Sequence, residues 1–121
     1  MTLPTRHEQA QAILRRRARK MAKEILGRQP VGAADFASAF TLERIDLIAE
    51  IPDVDALRRL GRTVVGPAND LYILHDPDGS FRVYVQERGE PRNVAAGLDF
   101  EAARDAVIDR LILLNGIPLD L

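Results

Sequence analysis

The chain contains no cysteine. That absence removes a disulfide scaffold, a thiolate zinc centre and a cysteine nucleophile together. Histidine is nearly as scarce. His7 and His75 stand far apart, and a transition-metal site usually needs three or four N, S or O ligands, so none is expected. No apolar run approaches the roughly 20 residues of a membrane span. Met1-Thr2-Leu3-Pro4-Thr5 lacks the basic-then-apolar pattern of a secretory signal, so the expected location is the cytoplasm. Serine is confined to Ser38 and Ser80, and neither lies in the G-x-S-x-G setting of a nucleophile elbow. Gly27, Gly32, Gly61 and Gly66 are scattered and form no phosphate-cradling loop. Taken together, these absences predict no catalytic residue, metal or cofactor. The expected activity is the binding of another macromolecule.

What is present is an ordinary globular composition. With 46% apolar and 29% charged residues over 121 positions, the chain is expected to fold as one domain, residues 1–121, without staples. Charge is unevenly spread. Residues 1–30 carry eight Arg and Lys against two Glu, and the rest carries nine Arg against sixteen carboxylates. Such an asymmetry steers binding toward a charged partner.

The N-terminal pattern predicts a long amphipathic helix over 5–26. Thr5 and Glu8 fit a capping box. Ala10, Leu14, Ala18, Met21 and Ile25 recur at helical steps on one face, and Gly27 supplies the stop. Arg15, Arg16, Arg19, Lys20 and Lys23 share the opposite face. Residues 33–60 read as broken helix, anchored by Phe36, Phe40, Ile45, Leu47 and Ile48. There Asp53 caps a short helix, 54–60, that ends at Gly61. From 62 onward the period changes. Thr63-Val64-Val65 is β-prone, and Leu71–His75 and Phe81–Glu87 read as strands around the turn Asp76-Pro77-Asp78-Gly79. A three-residue loop would place Leu71, Ile73, Phe81, Val83 and Val85 on one face. A four-residue loop would bring in Tyr72 and Leu74 instead. Arg88-Gly89-Glu90-Pro91 is a second turn, and Arg92–Ala96 a third strand of exposed edge character. Asp99 then caps a helix over 100–114, with Ala103, Val107, Leu111 and Leu114 on its buried face, widened by Phe100 and Ile108. Asn115-Gly116 ends it. The predicted class is α+β: N-terminal helices, an antiparallel hairpin or three-stranded meander, then a C-terminal helix packed on the sheet.

Several patterns carry two readings. The basic helix face would suit phosphates or an anionic surface, or it is a solvated face balanced by the acidic remainder. The pI of 6.1 is below that of a dedicated nucleic-acid domain. Asp76-Pro77-Asp78-Gly79 echoes a calcium loop but lacks the remaining ligands, so it reads as a turn. Glu87-Arg88 sits at a strand end, where no histidine or second carboxylate has the spacing to complete a mechanism. His75 is either a pH-sensitive contact or plain surface.

Residues 78–89, Asp78-Gly79-Ser80-Phe81-Arg82-Val83-Tyr84-Val85-Gln86-Glu87-Arg88-Gly89, resemble a segment of the small immunity proteins of bacterial polymorphic-toxin and contact-dependent-inhibition systems. In those proteins an aromatic-x-V-Tyr/Phe strand runs into E-R-G, and an acidic, alanine-rich helix follows. Leu98-Asp99-Phe100-Glu101-Ala102-Ala103 resembles the start of that helix, with Val107-Ile108 where the family carries an aromatic. The resemblance covers residues 71–113. It implies a cytoplasmic inhibitor that occludes a delivered toxin domain, often a basic nuclease. Asp70, Asp76, Asp78, Glu87 and Glu90, around the hairpin, form the expected acidic contact surface. The alternative is a nucleic-acid-binding regulator using Arg15, Arg16, Arg19, Lys20 and Lys23.

Overall fold

A computed structural model describes residues 3–121. They fall into two compact units, residues 3–50 with 111–121 and residues 51–110. The chain therefore leaves the first unit and later returns to it.

The first helix starts as its sequence requires. The Thr5 side chain accepts from the Glu8 N–H and the Glu8 carboxylate accepts from the Thr5 N–H, closing the capping box. It does not run to residue 26. Helix α1 spans Arg6–Leu14 and α2 spans Ala18–Leu26, so the single-helix expectation is corrected. Between them Arg16 adopts φ +60°. The Arg16 N–H donates to the Ile13 carbonyl and the Arg17 N–H to the Ala12 carbonyl, the two bonds of a Schellman stop. Glycine usually fills the left-handed position, and an L-residue there costs about 1 kcal/mol. The stop persists because a distant side chain rewards it. Asn115 is buried. Its amide nitrogen donates to the carbonyls of Ile13, 2.8 Å, and Leu111, 2.6 Å, while its oxygen accepts from the Ala18 N–H at 3.2 Å. One side chain thus serves the end of α1 and the start of α2. Helix α2 ends at Gly27, φ +72°, as expected.

Helices α3 (Gly32–Ala39) and α4 (Arg44–Ala49) follow. Gln9 joins α1 to the stretch between them. It is buried, and its side chain accepts from the Thr41 and Leu42 N–H groups. Phe36, Phe40 and Leu47 are buried as expected, but Ile45 is 61% exposed, because α4 is too short to bury two faces. Helix α6 (Phe100–Asn115) gives residues from Leu111 onward to this unit.

The second unit begins with α5 (Val54–Arg58), capped by the Asp53 carboxylate on the Ala56 N–H at 2.8 Å. Strands β1 (Leu71–His75), β2 (Phe81–Glu87) and β3 (Glu90–Leu98) form an antiparallel sheet in the order β1-β2-β3. The first part of α6 packs on it. Asp99 caps that helix through the Ala102 N–H, and Arg110 donates to the Asn93 carbonyl. The α+β class is as predicted. Leu71 faces Val85, Ile73 faces Val83 and His75 faces Phe81, so Leu71, Ile73, Phe81, Val83 and Val85 share one face. Tyr72, Leu74 and Tyr84 are buried on the other, with the two tyrosine rings stacked 5.0 Å apart.

The opposite face is covered because a loop is fastened over it. The Tyr72 hydroxyl and the Gln86 amide each donate to the carbonyls of Gly66 and Ala68 at 2.8–3.1 Å. That loop holds Thr63-Val64-Val65, which forms no strand. Val64 and Val65 are 78% and 68% exposed. Only Arg62 bridges β1, through the Leu71 carbonyl and the Ile73 N–H. A Cβ at Gly61 would lie 2.8 Å from the Leu71 carbonyl oxygen, so glycine is required for that approach. The second turn is also tighter than expected. Arg88 and Gly89 take φ +52° and +77°, a two-residue connection, and Glu90 and Pro91 already belong to β3.

Asn115→Ala should destabilise the protein by about 2–4 kcal/mol, since it strands a buried N–H and a buried carbonyl. Asn115→Asp should be at least as harmful, because a carboxylate cannot donate to the Ile13 carbonyl; urea denaturation measures both. Separately, Arg28 grips Asp35 with two bonds of 2.7 and 2.9 Å and the Val31 N–H adds a third, holding the Asp35 carboxyl down at about 2. Its contribution is complete above the ordinary aspartate pKa of about 4 and is lost as pH falls toward 2. Asp35→Asn should flatten that part of the acid-stability curve.

Candidate functional site

Breaking the first helix re-aims its charges. A cleft of about 310 Å³ opens beside α1 and α2, lined by His7, Gln11, Arg15, Arg17, Lys20 and Met21 among others. Arg15 and Arg17 flank the left-handed Arg16, and Lys20 stands in the first turn of α2. Among the described residues, Arg15, Arg17 and Lys20 have no carboxylate partner. Two glutamates also line the cleft. Glu8 is already occupied: the Thr5 N–H and hydroxyl hold its carboxyl below the usual range. Glu24 lies one turn beyond Lys20.

One wall of the cleft is fixed by hydrogen bonds. His7 Nδ1 bonds the Glu50 carboxylate, whose other oxygen accepts from the Gln11 side chain at 2.6 Å. An ionised carboxylate only accepts, so Nδ1 carries the proton and Nε2 is the open ring nitrogen.

The five cations expected to share a helix face are separated. Arg15 and Lys20 reach the cleft. Arg16 occupies the turn. The Arg19 guanidinium donates to the Gly116 carbonyl at 2.6 Å and lies 5.4 Å over the Phe36 ring. Lys23 is exposed and does not line the cleft. Arg17 was missed, because unbroken helical periodicity places it off the basic face. A second hollow of about 420 Å³ is lined by Phe36, Ile117 and Pro118, and its one cation is Arg19.

The acidic residues of the second unit are also divided. Asp76 and Asp78 sit at the β1–β2 turn, whereas Asp70, Glu87 and Glu90 gather at the opposite end of the sheet. At about 3.3 Å per residue, seven-residue β2 separates the two groups by roughly 20 Å. Most are already engaged. Arg82 bonds Asp76 at 2.7 Å, Arg62 bonds Asp70 at 3.0 Å and Arg92 reaches Glu90 at 3.3 Å. Asp78 accepts from the Ser80 hydroxyl and N–H, which lower its pKa. His75 stacks on Phe81 at 4.4 Å and its Nε2 meets the Gly79 carbonyl, so it is built into the turn. A further acidic feature lies on α6. Glu101, Asp105 and Asp109 are exposed and one turn apart, a spacing of four that was visible in the sequence.

Strand β3 is the most exposed element. None of its nine residues is buried, and Val94 is 51% exposed. It forms one edge of the sheet, and register shifts interrupt its pairing with β2. Asn93 and Gly97, at φ +51° and +66°, accompany those irregularities.

Among the described residues no group of three or more His, Asp or Glu is placed to hold a metal ion, and no helix is long and apolar enough to cross a membrane. Comparison with protein-family models, curated proteins and solved structures gives no match.

The His7–Glu50 contact has a direct spectroscopic consequence. At a pH where the ring is neutral, nitrogen-15 NMR should find the His7 proton on Nδ1. In Glu50→Ala the Nε2–H tautomer, favoured by free imidazole side chains, should reappear. An unchanged tautomer would mean that Glu50 does not set the ring.

Proposed function

We propose that the chain is a cytoplasmic immunity protein. It binds the toxic domain of a bacterial effector, a nuclease, and neutralises it by stoichiometric steric occlusion without catalysis. The resemblance of residues 71–113 to such proteins supplies the class. The observation that carries the reading is β3, nine residues long and without a buried position. A strand that buries no side chain adds little hydrophobic stabilisation to its own fold, and its outer edge offers free backbone N–H and carbonyl groups to another chain.

The path of β3 also suits the divided acidic residues. Glu90 pairs with Glu87 at one end and Leu98 with Phe81 at the other. A partner lying along the strand, roughly 30 Å at the usual rise, would meet Asp70, Glu87 and Glu90 at one end and Asp76 and Asp78 at the other. A basic nuclease surface would complement both. Rim carboxylates of this kind act mainly on association rate and partner choice.

A nucleic-acid-binding regulator is the second reading, favoured by the cations of the first unit that hold no carboxylate. The helix break counts against it, since it removes the continuous basic face an extended backbone would follow. Retention on immobilised DNA or RNA with a steep salt dependence would support it.

The deciding experiment is co-expression of the tagged chain with the product of the reading frame adjacent to its gene. The expected outcome is a one-to-one complex and rescue of growth from that product. Val94→Arg should weaken the complex by about tenfold or more while leaving the melting temperature unchanged. Asp76→Lys with Asp78→Lys should slow association. No complex and no rescue would refute the immunity reading.

A further inference from the structure

We infer that the cleft beside α1 and α2 binds a single phosphate group carried on a small body with an apolar or planar face. The inference does not depend on the immunity reading, because every residue it uses lies in the first unit.

Three cations meet at the cleft from two directions, Arg15 and Arg17 from either side of the interhelical turn and Lys20 from α2. Among the described residues none has a carboxylate to neutralise it. Guanidinium forks match phosphate oxygens in pairs, and an ammonium adds a compact charge with rotatable donors. The left-handed Arg16, φ +60°, is what brings Arg15 and Arg17 to one opening. An unbroken helix would turn two residues so spaced to different sides.

The rest of the lining defines the ligand further. Met21 and Ala12 supply an apolar surface, and methionine adapts to flat or irregular groups. Glu50 holds both His7 and Gln11, so that wall is ordered before a ligand arrives, which lowers the entropic cost of binding. Glu24 is a free-standing acceptor for a hydroxyl or amino group, and it repels a ligand with a second anionic group beside it. A volume of about 310 Å³ lies at the lower end of small-ligand sites. It suits one phosphate with a ring-sized body better than a polymer.

The test is titration of the full chain at low salt with inorganic phosphate, adenosine 5′-monophosphate and a short single-stranded oligonucleotide, followed by amide NMR and calorimetry. The monophosphate should saturate a single site, shift amides between residues 15 and 24, and be displaced by inorganic phosphate. Combined Arg15→Gln, Arg17→Gln and Lys20→Gln should weaken binding by about tenfold or more, whereas Lys23→Gln, outside the cleft, should leave it unchanged. Because three substitutions together can disturb the turn, Lys20→Gln alone is a second variant, expected to weaken binding at an unchanged melting temperature. An oligonucleotide that binds much more tightly than the monophosphate, with a salt slope of about −0.7 per phosphate, would assign the phosphate to a nucleic-acid backbone. Equal or weaker binding would assign it to a small molecule. No saturable binding of any probe, or binding indifferent to both sets of substitutions, would overturn the site.

Discussion

The first unit depends on the side chain of Asn115. Its amide donates to the carbonyls of Ile13 and Leu111 and accepts from the Ala18 N–H, so the end of α1, the start of α2 and the last turn of α6 meet at one buried group. Helix ends carry backbone groups with no partner inside the helix, and burying them unpaired is costly. An asparagine can donate and accept together, and here it answers both needs. Arg19 reinforces the junction from outside through the Gly116 carbonyl. The break after Leu14 follows from this arrangement, and so does the cleft with its exposed cations.

The second unit applies the same physics to a loop. Tyr72 and Gln86 point from one face of the sheet and fasten the carbonyls of Gly66 and Ala68. The loop then covers apolar side chains that a three-stranded sheet would otherwise leave wet. In both units buried polar atoms hold irregular backbone, while regular elements supply the apolar core. The exposure of β3 stands out against this economy, because no loop is fastened over it and Arg110 reaches it only at the Asn93 carbonyl.

What the sequence made legible is what local chemistry decides. The Asp76–Gly79 turn, the strands on either side, the Asp53 and Asp99 caps and the Gly27 stop all lie where short-range patterns place them. The break at Arg16 was hidden for two reasons. The left-handed residue is an arginine where a glycine is usual, and the group that stabilises the junction lies 97 residues away from Ala18 in the chain. Val64 and Val65 have strong β propensity, yet Arg62 alone pairs with β1, so propensity found no ladder to join. The acidic candidates looked like one surface because they are close in sequence. A strand between them carries them apart, and arginines at distances no motif fixes neutralise several of them. The register of β1 and β2 illustrates the intermediate case. The residues of the Leu71 face could be named, but the burial of Tyr72 and Tyr84 required the loop that covers them.

The placement of Asn115 also bears on how the protein is made. A ribosome delivers residues 51–110 as a continuous stretch before residue 115 emerges, so the second unit has all its own residues while the first is still incomplete. Helices α1 and α2 are synthesised before the second unit, yet their junction must wait for a side chain that follows it. Until then Ala10, Ile13 and Ala18, all fully buried in the finished fold, lack the partner that sets the junction. N-terminal parts usually fold first during synthesis, but here the α1–α2 junction gains its buried polar partner only once residue 115 is available. The burial of those residues is therefore tied to the arrival of the last turn of α6.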